Sequence, residues 1–295
     1  MSFPIKWVVV TILVSSMAAQ AQAPADQQEP VRLGALLDRA VGVEALEPTD
    51  QLTYDLGQQL FGRMLRGHSS GEISGLWNEL GFELTETTAS EESIHVVRDR
   101  RRAGRGFFAF RSRSTAPLVV EAPHAAGSDD QYTRRIALRL FLASRAVAAG
   151  WSTISRREQD AAHETGTLFQ AFTESFADVH PEGRLLQIHG FRRNKRTTKA
   201  GKAAEAILSN GTTEPAPWLS EVVRCLNREA RINALAYPRD VQELGATTNV
   251  QARLLSALGH QGFLHVELSR DLRRKMVADD RLLTQVSQCL SWGLS

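Results

Sequence analysis

From about residue 115 onward, short runs of β-branched and aliphatic residues alternate with stretches of helical spacing, and this alternation leaves few possible architectures. APLVVEA reads as a strand. After it TRRIALRLFLASRAVAAG reads as a helix, WSTISR as a strand, DAAHETGTLFQAFTESFADV as a helix and GRLLQIHGF as a strand. AGKAAEAILSNG reads as a helix ending at Gly211, WLSEVVRCLNREA and NVQARLLSALG as helices, FLHVELS as a strand and DDRLLTQVSQCLSWGL as a closing helix. Strands separated by helices predict a three-layer α/β domain, whose ligands gather outside the carboxyl ends of the strands.

Upstream, SIHVV and GRGFFAFRS also have strand character, the second suited to a hairpin with its neighbour. From Arg32 to Leu84 the spacing is helical instead, with Leu56, Leu60, Phe61, Met64 and Leu65 recurring on one face. The first 23 residues carry Lys6, an apolar stretch from Trp7 to about Met17, and Ala21-Gln22-Ala23. That apolar run is shorter than the roughly 20 residues a membrane span needs, and its end resembles a signal-peptidase site. The expected organisation is a signal peptide over 1–23 cleaved after Ala23, a small helical N-terminal appendage over 24–92, and an α/β domain over 93–295. The expected location is the periplasm or the outside of the cell, with no stable membrane span. In such an oxidising compartment Cys225 and Cys289 allow one disulfide, and sequence leaves their pairing open.

Three strand ends deliver ionisable residues: VVEAPH ends at His124, LLQIH at His189 and FLHVE at Glu267. Catalytic zinc takes three protein ligands from imidazole nitrogen and carboxylate oxygen. His124, an aspartate from the loop after it, and His189 would make such a set. Asp130 opens D-x-x-T before a helix, Asp129 is the alternative ligand, and either acid also suits a helix N-cap. Glu267 is the candidate general base, the competing reading being an ion pair with Arg270 or Arg273. Arg156 and His163 are candidate substrate contacts, as are Asn249 and Arg253, spaced i and i+4 on one expected helix face.

A formal net charge of +2 is too small to suggest a nucleic-acid binder overall and makes any electrostatic reading local. The stretch GFRRNKRTTKAGK after His189 is basic and lacks interleaved aromatics, which suits an anionic small substrate better than a base-stacking one. RDRRRAGRG reads as a solvated turn. GHSSG, centred on Ser69, matches the nucleophile elbow of serine esterases, but that motif needs a strand before its turn and the spacing here is helical.

On the pieces EAPHAAGSDDQYT, LLQIHGF and HVELSRDLR, the chain resembles the zinc-dependent carboxypeptidase-like superfamily, in its branch of N-formylglutamate amidohydrolases and poly-gamma-glutamate hydrolases. The resemblance spans about residues 106 to 280. It implies a phosphorylase/hydrolase-like α/β/α sandwich with a mixed central sheet. It also implies Zn2+ held by His124, Asp130 and His189, with Glu267 as base. Two departures stand out. Metallocarboxypeptidases join their first two ligands as H-x-x-E, whereas here the nearest acids lie five and six positions beyond His124. Their asparagine-arginine clamp precedes the third ligand, whereas Asn249 and Arg253 follow His189.

The leading expectation is a zinc-dependent hydrolase acting on an amide or peptide bond of an acidic substrate. The alternative is a non-catalytic periplasmic binding protein that holds an anionic envelope ligand on the same fold. A serine hydrolase built on Ser69 stands third.

Overall fold

A computed structural model describes residues 25–42, 46–89, 92–113, 116–128, 130–291 and 293. The expected signal peptide and Asp129 lie outside them. The described residues form a mixed nine-stranded sheet of order β1-β2-β3-β5-β4-β6-β9-β7-β8. Its strands are β1 (Phe82–Ala89), β2 (Glu92–Asp99), β3 (Phe107–Arg111), β4 (Ala116–Ala122), β5 (Ala146–Trp151), β6 (Arg184–Phe191), β7 (Ala206–Ser209), β8 (Ala234–Ala236) and β9 (Phe263–Ser269). The central strands β5, β4, β6 and β9 run parallel, and antiparallel pairings carry the sheet outward through β3, β2 and β1 on one side and β7 on the other.

Helices cover both faces, so the expected three-layer α/β/α sandwich is the observed one. One face packs α1 (Ala25–Ala40), α4 (Thr133–Ser144), α7 (Pro217–Arg228), α9 (Arg270–Ala278) and α10 (Asp280–Leu290). The other packs α2 (Gln51–Leu65), α3 (Gly71–Glu79), α5 (Leu168–Val179) and α8 (Val250–Ala257). A short α6 (Lys199–Ala203) sits before β7.

The N-terminal helices pack within these layers, and β1, which also precedes residue 93, is a strand of the same sheet. Phe61 of α2 lies with its ring 4.6 Å from Phe108 of β3 and 5.4 Å from Phe172 of α5. Burying an aromatic side chain of this kind contributes about 2 kcal/mol. The helical reading also ran too far: Gly81, at φ +80°, ends α3, and Phe82–Ala89 pairs with β2.

Two further runs that read as helix are strand. The helix after Thr133 stops at Ser144 because Arg145 turns left-handed at φ 55°, and AVAAGW forms β5. Small residues are needed there, since a Cβ at Gly150 would lie 3.1 Å from the Phe172 ring. Likewise AILS pairs with β9 as β7, because strand pairing outweighs the helix propensity of alanine. DAAHETG forms turns, and α5 begins only at Leu168, where Thr167 accepts from the Gln170 N–H at 3.1 Å.

Cys225 of α7 and Cys289 of α10 form a disulfide across 5.5 Å between Cα atoms, closing a separation of 64 residues. Loop-closure entropy for that length corresponds to roughly 4 kcal/mol. Cys225→Ala/Cys289→Ala is therefore expected to lower the unfolding free energy by up to that amount in denaturant titrations. Wild type under reductant should follow the variant, and identical oxidised and variant curves would contradict this.

Candidate metal centre

β4, β6 and β9 lie side by side and parallel, so their carboxyl ends open on one edge of the sheet. The chain pairs β5 on one side of β4 and then crosses to pair β6 on the other. Such reversals leave a crevice outside the strand ends. Here the crevice is a cleft of about 470 Å³ whose lining includes His124, Asp130, His189, His265 and Glu267. A larger groove of about 860 Å³ lies elsewhere, lined by residues of α2, α5 and the turn after α8. None of the described metal-ligating clusters is in it.

Strand register explains the crowding of polar groups. His189 is paired with Glu267, Gln187 with His265, and Glu121 with Gln187. Residues two apart on a strand share a face. One face of the three central strands therefore carries Glu121, Gln187, His189, His265 and Glu267, all buried.

His124 follows β4 by two residues and brings its ring to 4.8 Å from that of His189, nearly perpendicular to it. Asp130 Oδ2 lies 2.9 Å from His124 Nδ1 and 3.8 Å from His189 Nδ1, and it accepts the Gly190 N–H at 3.2 Å. Both rings are tied at their other nitrogen, His124 Nε2 to Asp160 Oδ1 at 2.8 Å and His189 Nε2 to Gln187 Oε1 at 2.9 Å. Two histidines thus converge through Nδ1 on one carboxylate oxygen, with the opposite nitrogens occupied by acceptors. Metal-ligating histidines characteristically use such outer partners to fix ring orientation. The ligand atoms of His124, Asp130 and His189 lie within 4.8 Å of one another, as do those of His189, His265 and Glu267.

Burial and neighbouring charges shift the titratable groups of the cleft strongly from their ordinary values. Burial works against a charged His124, yet hydrogen bonds to Asp130 and Asp160 outweigh it and raise the imidazole to about 9. Burial, then the neighbouring His265 and His124, hold His189 well below its ordinary value, and burial lowers His265 to about 3. Burial pushes the Glu267 carboxyl up to about 8, with the charge of Asp130 adding to it. Glu267 Oε2 and His265 Nδ1 are buried without hydrogen-bond partners. Buried orphans of this kind are rare in folded proteins, and a catalytic role or a bound ion is among the explanations for them.

Of the residues singled out in the sequence, His124, Asp130, His189 and Glu267 meet in this cleft, and Arg156, His163 and Asn249 line it. Arg156 donates to Asp160 Oδ2 at 2.9 Å. His163 lies in a turn rather than on a helix. The expected Asn249/Arg253 pair does not form. Asn249 is the N-cap of α8, with non-helical backbone, and turns its amide toward Gln187, while the exposed Arg253 donates to the Thr247 carbonyl at 3.1 Å. Arg270 is exposed and Arg273 is buried behind Gly190; Arg273 acts on Glu267 through its charge, but among the described residues no direct ion pair joins Glu267 to either arginine. A Cβ on Gly190 would sit 1.0 Å from Arg273 Nη1, so a side chain at this strand position would have to displace the Arg273 guanidinium. Ser69 lies in the loop between α2 and α3, where Ser70 caps α3, so no nucleophile elbow is built.

Asp160, Gln187 and His265 escaped the sequence reading. Period two along the strands carries the signal, since Q-x-H places Gln187 beside His189 and H-x-E places His265 beside Glu267. Asp160 gave no such signal, because a turn delivers it.

No family model matches the chain, and no curated protein matches it. Among solved structures it is similar to an N-formylglutamate amidohydrolase from Ralstonia eutropha JMP134, at 14% identity over 63% of this chain and 97% of that one, with a TM-score of 0.40. It is also similar to an aspartoacylase family protein from Mesorhizobium loti, at 12% identity over 70% and 67% of the two chains, TM-score 0.36. The LapA aminopeptidase of Legionella pneumophila matches at 10% identity over 98% and 78%, TM-score 0.41. The first of these is of the branch that the sequence resemblance names, and at such TM-scores the functional reading rests on the site's own geometry.

Proposed function

We propose that the chain is a periplasmic or secreted zinc-dependent amidohydrolase or peptidase that cleaves an amide bond in an acidic substrate. The observation that carries this reading is the convergence of His124 Nδ1, Asp130 Oδ2 and His189 Nδ1 beside the unpartnered Glu267 carboxylate. Two imidazoles and one carboxylate are a donor set suited to catalytic zinc, and the residues present fit it. Zinc in such a set supplies Lewis acidity and brings the pKa of a coordinated water to about 7.

The chain's own residues supply the rest. Glu267 takes a proton from the water whose oxygen forms the new bond to the carbonyl carbon. As the carbon-nitrogen bond breaks, Glu267 returns that proton to the departing amine. Asp160 holds His124 and is itself held by Arg156, which orients the His124 ring. Arg156, His163, Arg192, Lys195 and Arg196 line the same opening, which favours a carboxylate-bearing amide or peptide over a neutral one. Nucleic acid is a poor fit, since Phe191 is the one aromatic ring besides histidine among the described lining residues. The Cys225–Cys289 disulfide and the character of residues 1–23 support an oxidising compartment, and no described helix is long and apolar enough to cross a membrane.

The test is metal content by elemental mass spectrometry, followed by amine release from acyl-glutamate and glutamyl-peptide amides and from their neutral analogues. About one zinc per chain is expected, with acidic substrates preferred by roughly 10- to 100-fold, the worth of a hydrogen bond to a charged group. A chain that takes up no metal when zinc is offered would overturn the mechanism.

A further inference from the structure

Behind the candidate ligands lies a buried run of side-chain amides that the reaction outlined above does not use. Gln251 donates from Nε2 to the Ala161 backbone carbonyl at 2.7 Å. A carbonyl has no hydrogen to give, so this contact fixes which way the Gln251 amide points. Gln251 Oε1 then faces Gln187 as an acceptor, and Gln187 meets it with Nε2 at 3.3 Å. Gln187 Nε2 also donates to Glu121 Oε2 at 3.0 Å, while Glu121 Oε1 accepts from Thr173 Oγ1 at 2.7 Å.

A second anchor gives the same answer from the other side. Asn249 Oδ1 accepts the Ala252 N–H at 3.0 Å as the cap of α8, which leaves its Nδ2 as a donor. That Nδ2 lies 2.6 Å from Gln187 Oε1. One backbone carbonyl and one backbone N–H, reached through different residues, therefore orient the Gln187 amide identically, and the orientation follows from donor chemistry. With Gln187 Oε1 an acceptor, the ring nitrogen 2.9 Å from it, His189 Nε2, must carry the hydrogen. A neutral His189 then has its lone pair at Nδ1, the atom that faces Asp130.

We propose that Gln187, keyed through Gln251 and Asn249, is the positioning residue that holds His189 in its Nε2–H tautomer and leaves Nδ1 as its ligand atom. This deepens the metal reading and rests on it for its consequence, but the tautomer itself is a property of the metal-free chain. Asn249, which resembles a substrate clamp in the sequence, acts here as a helix cap and an amide key.

The test uses the full chain, free of metal and labelled with 15N-histidine. Two-bond 1H–15N correlation spectra identify the His189 signals by their absence in His189→Gln. The expected wild-type pattern is that of the Nε2–H tautomer. Gln187→Leu is expected to lose that preference and to bind zinc 10- to 100-fold more weakly in chelator competition, the usual effect of removing a ligand's outer partner. If Gln187→Leu does not fold, Asn249→Asp decides. It keeps the cap oxygen but sets a carboxylate against Gln187 Oε1, and it is expected to shift both readouts in the same direction. A wild-type His189 in the Nδ1–H tautomer overturns the proposal. So does an unchanged tautomer and zinc affinity in the folded variant. A wild type that takes up no zinc overturns the metal reading instead, and the tautomer spectrum then decides this inference alone.

Discussion

Glu267→Gln is expected to reduce turnover by roughly 10²- to 10⁴-fold, the range that a positioned general base contributes, while metal content stays at the wild-type level. The substitution keeps size and buried shape but replaces a proton acceptor with an amide. Glu267 stands on β9 in register with His189, its Oε2 is buried without a partner, and burial together with Asp130 makes it a reluctant anion. A cation beside it would reverse that reluctance, because a nearby positive charge favours the ionised form. The residue therefore becomes a competent base once the site is filled. Measuring kcat alongside metal content separates three roles. An active-site base loses turnover alone. A ligand, as the cluster of His189, His265 and Glu267 would also allow, loses metal with it. A binding protein has no turnover to lose.

His124→Ala and His189→Ala are each expected to abolish stoichiometric zinc, with a loss of affinity greater than the 10- to 100-fold that outer partners supply. Asp160→Asn should fall within that smaller range, since Asp160 touches His124 at Nε2 and not at the converging nitrogen. Chelator competition with circular dichroism of each variant checks both points. Ser69→Ala is the control and should leave zinc and activity unchanged, because Ser69 lies in an exposed loop between two helices. A His189→Ala protein that folds and retains wild-type zinc affinity would overturn the ligand assignment.

The parts of this molecule that were legible in advance are those where local pattern and tertiary demand agree. The runs before His124, His189 and Glu267 read as strands because parallel strands covered on both faces are largely hydrophobic, each here interrupted by one polar residue before its polar end. α2, α7 and α10 showed helical spacing because each buries one stripe against the sheet. The misread segments are those where the two conflict. AVAAG and AILS are rich in alanine, which favours helix, yet they lie within the sheet because only small residues fit under Phe172 or because β9 offers a pairing edge. Phe82–Ala89 alternates weakly at the sheet edge, and its partner β2 decides its state.

By itself, then, the sequence determined the layered α/β class, the strand ends that carry His124, His189 and Glu267, and the basic loop beside them. Those are properties of short stretches, readable from composition and period. Only the tertiary structure decided that Asp130 is the carboxylate on which both imidazoles converge, that Asp160 and Gln187 tie the far nitrogens, and that Asn249 keys an amide rather than pairing with Arg253. Gln187 and His189 share β6, and His124 and Asp130 share the loop after β4, but the other contacts join residues far apart in the chain, and these act only after strand register and helix packing have brought them together.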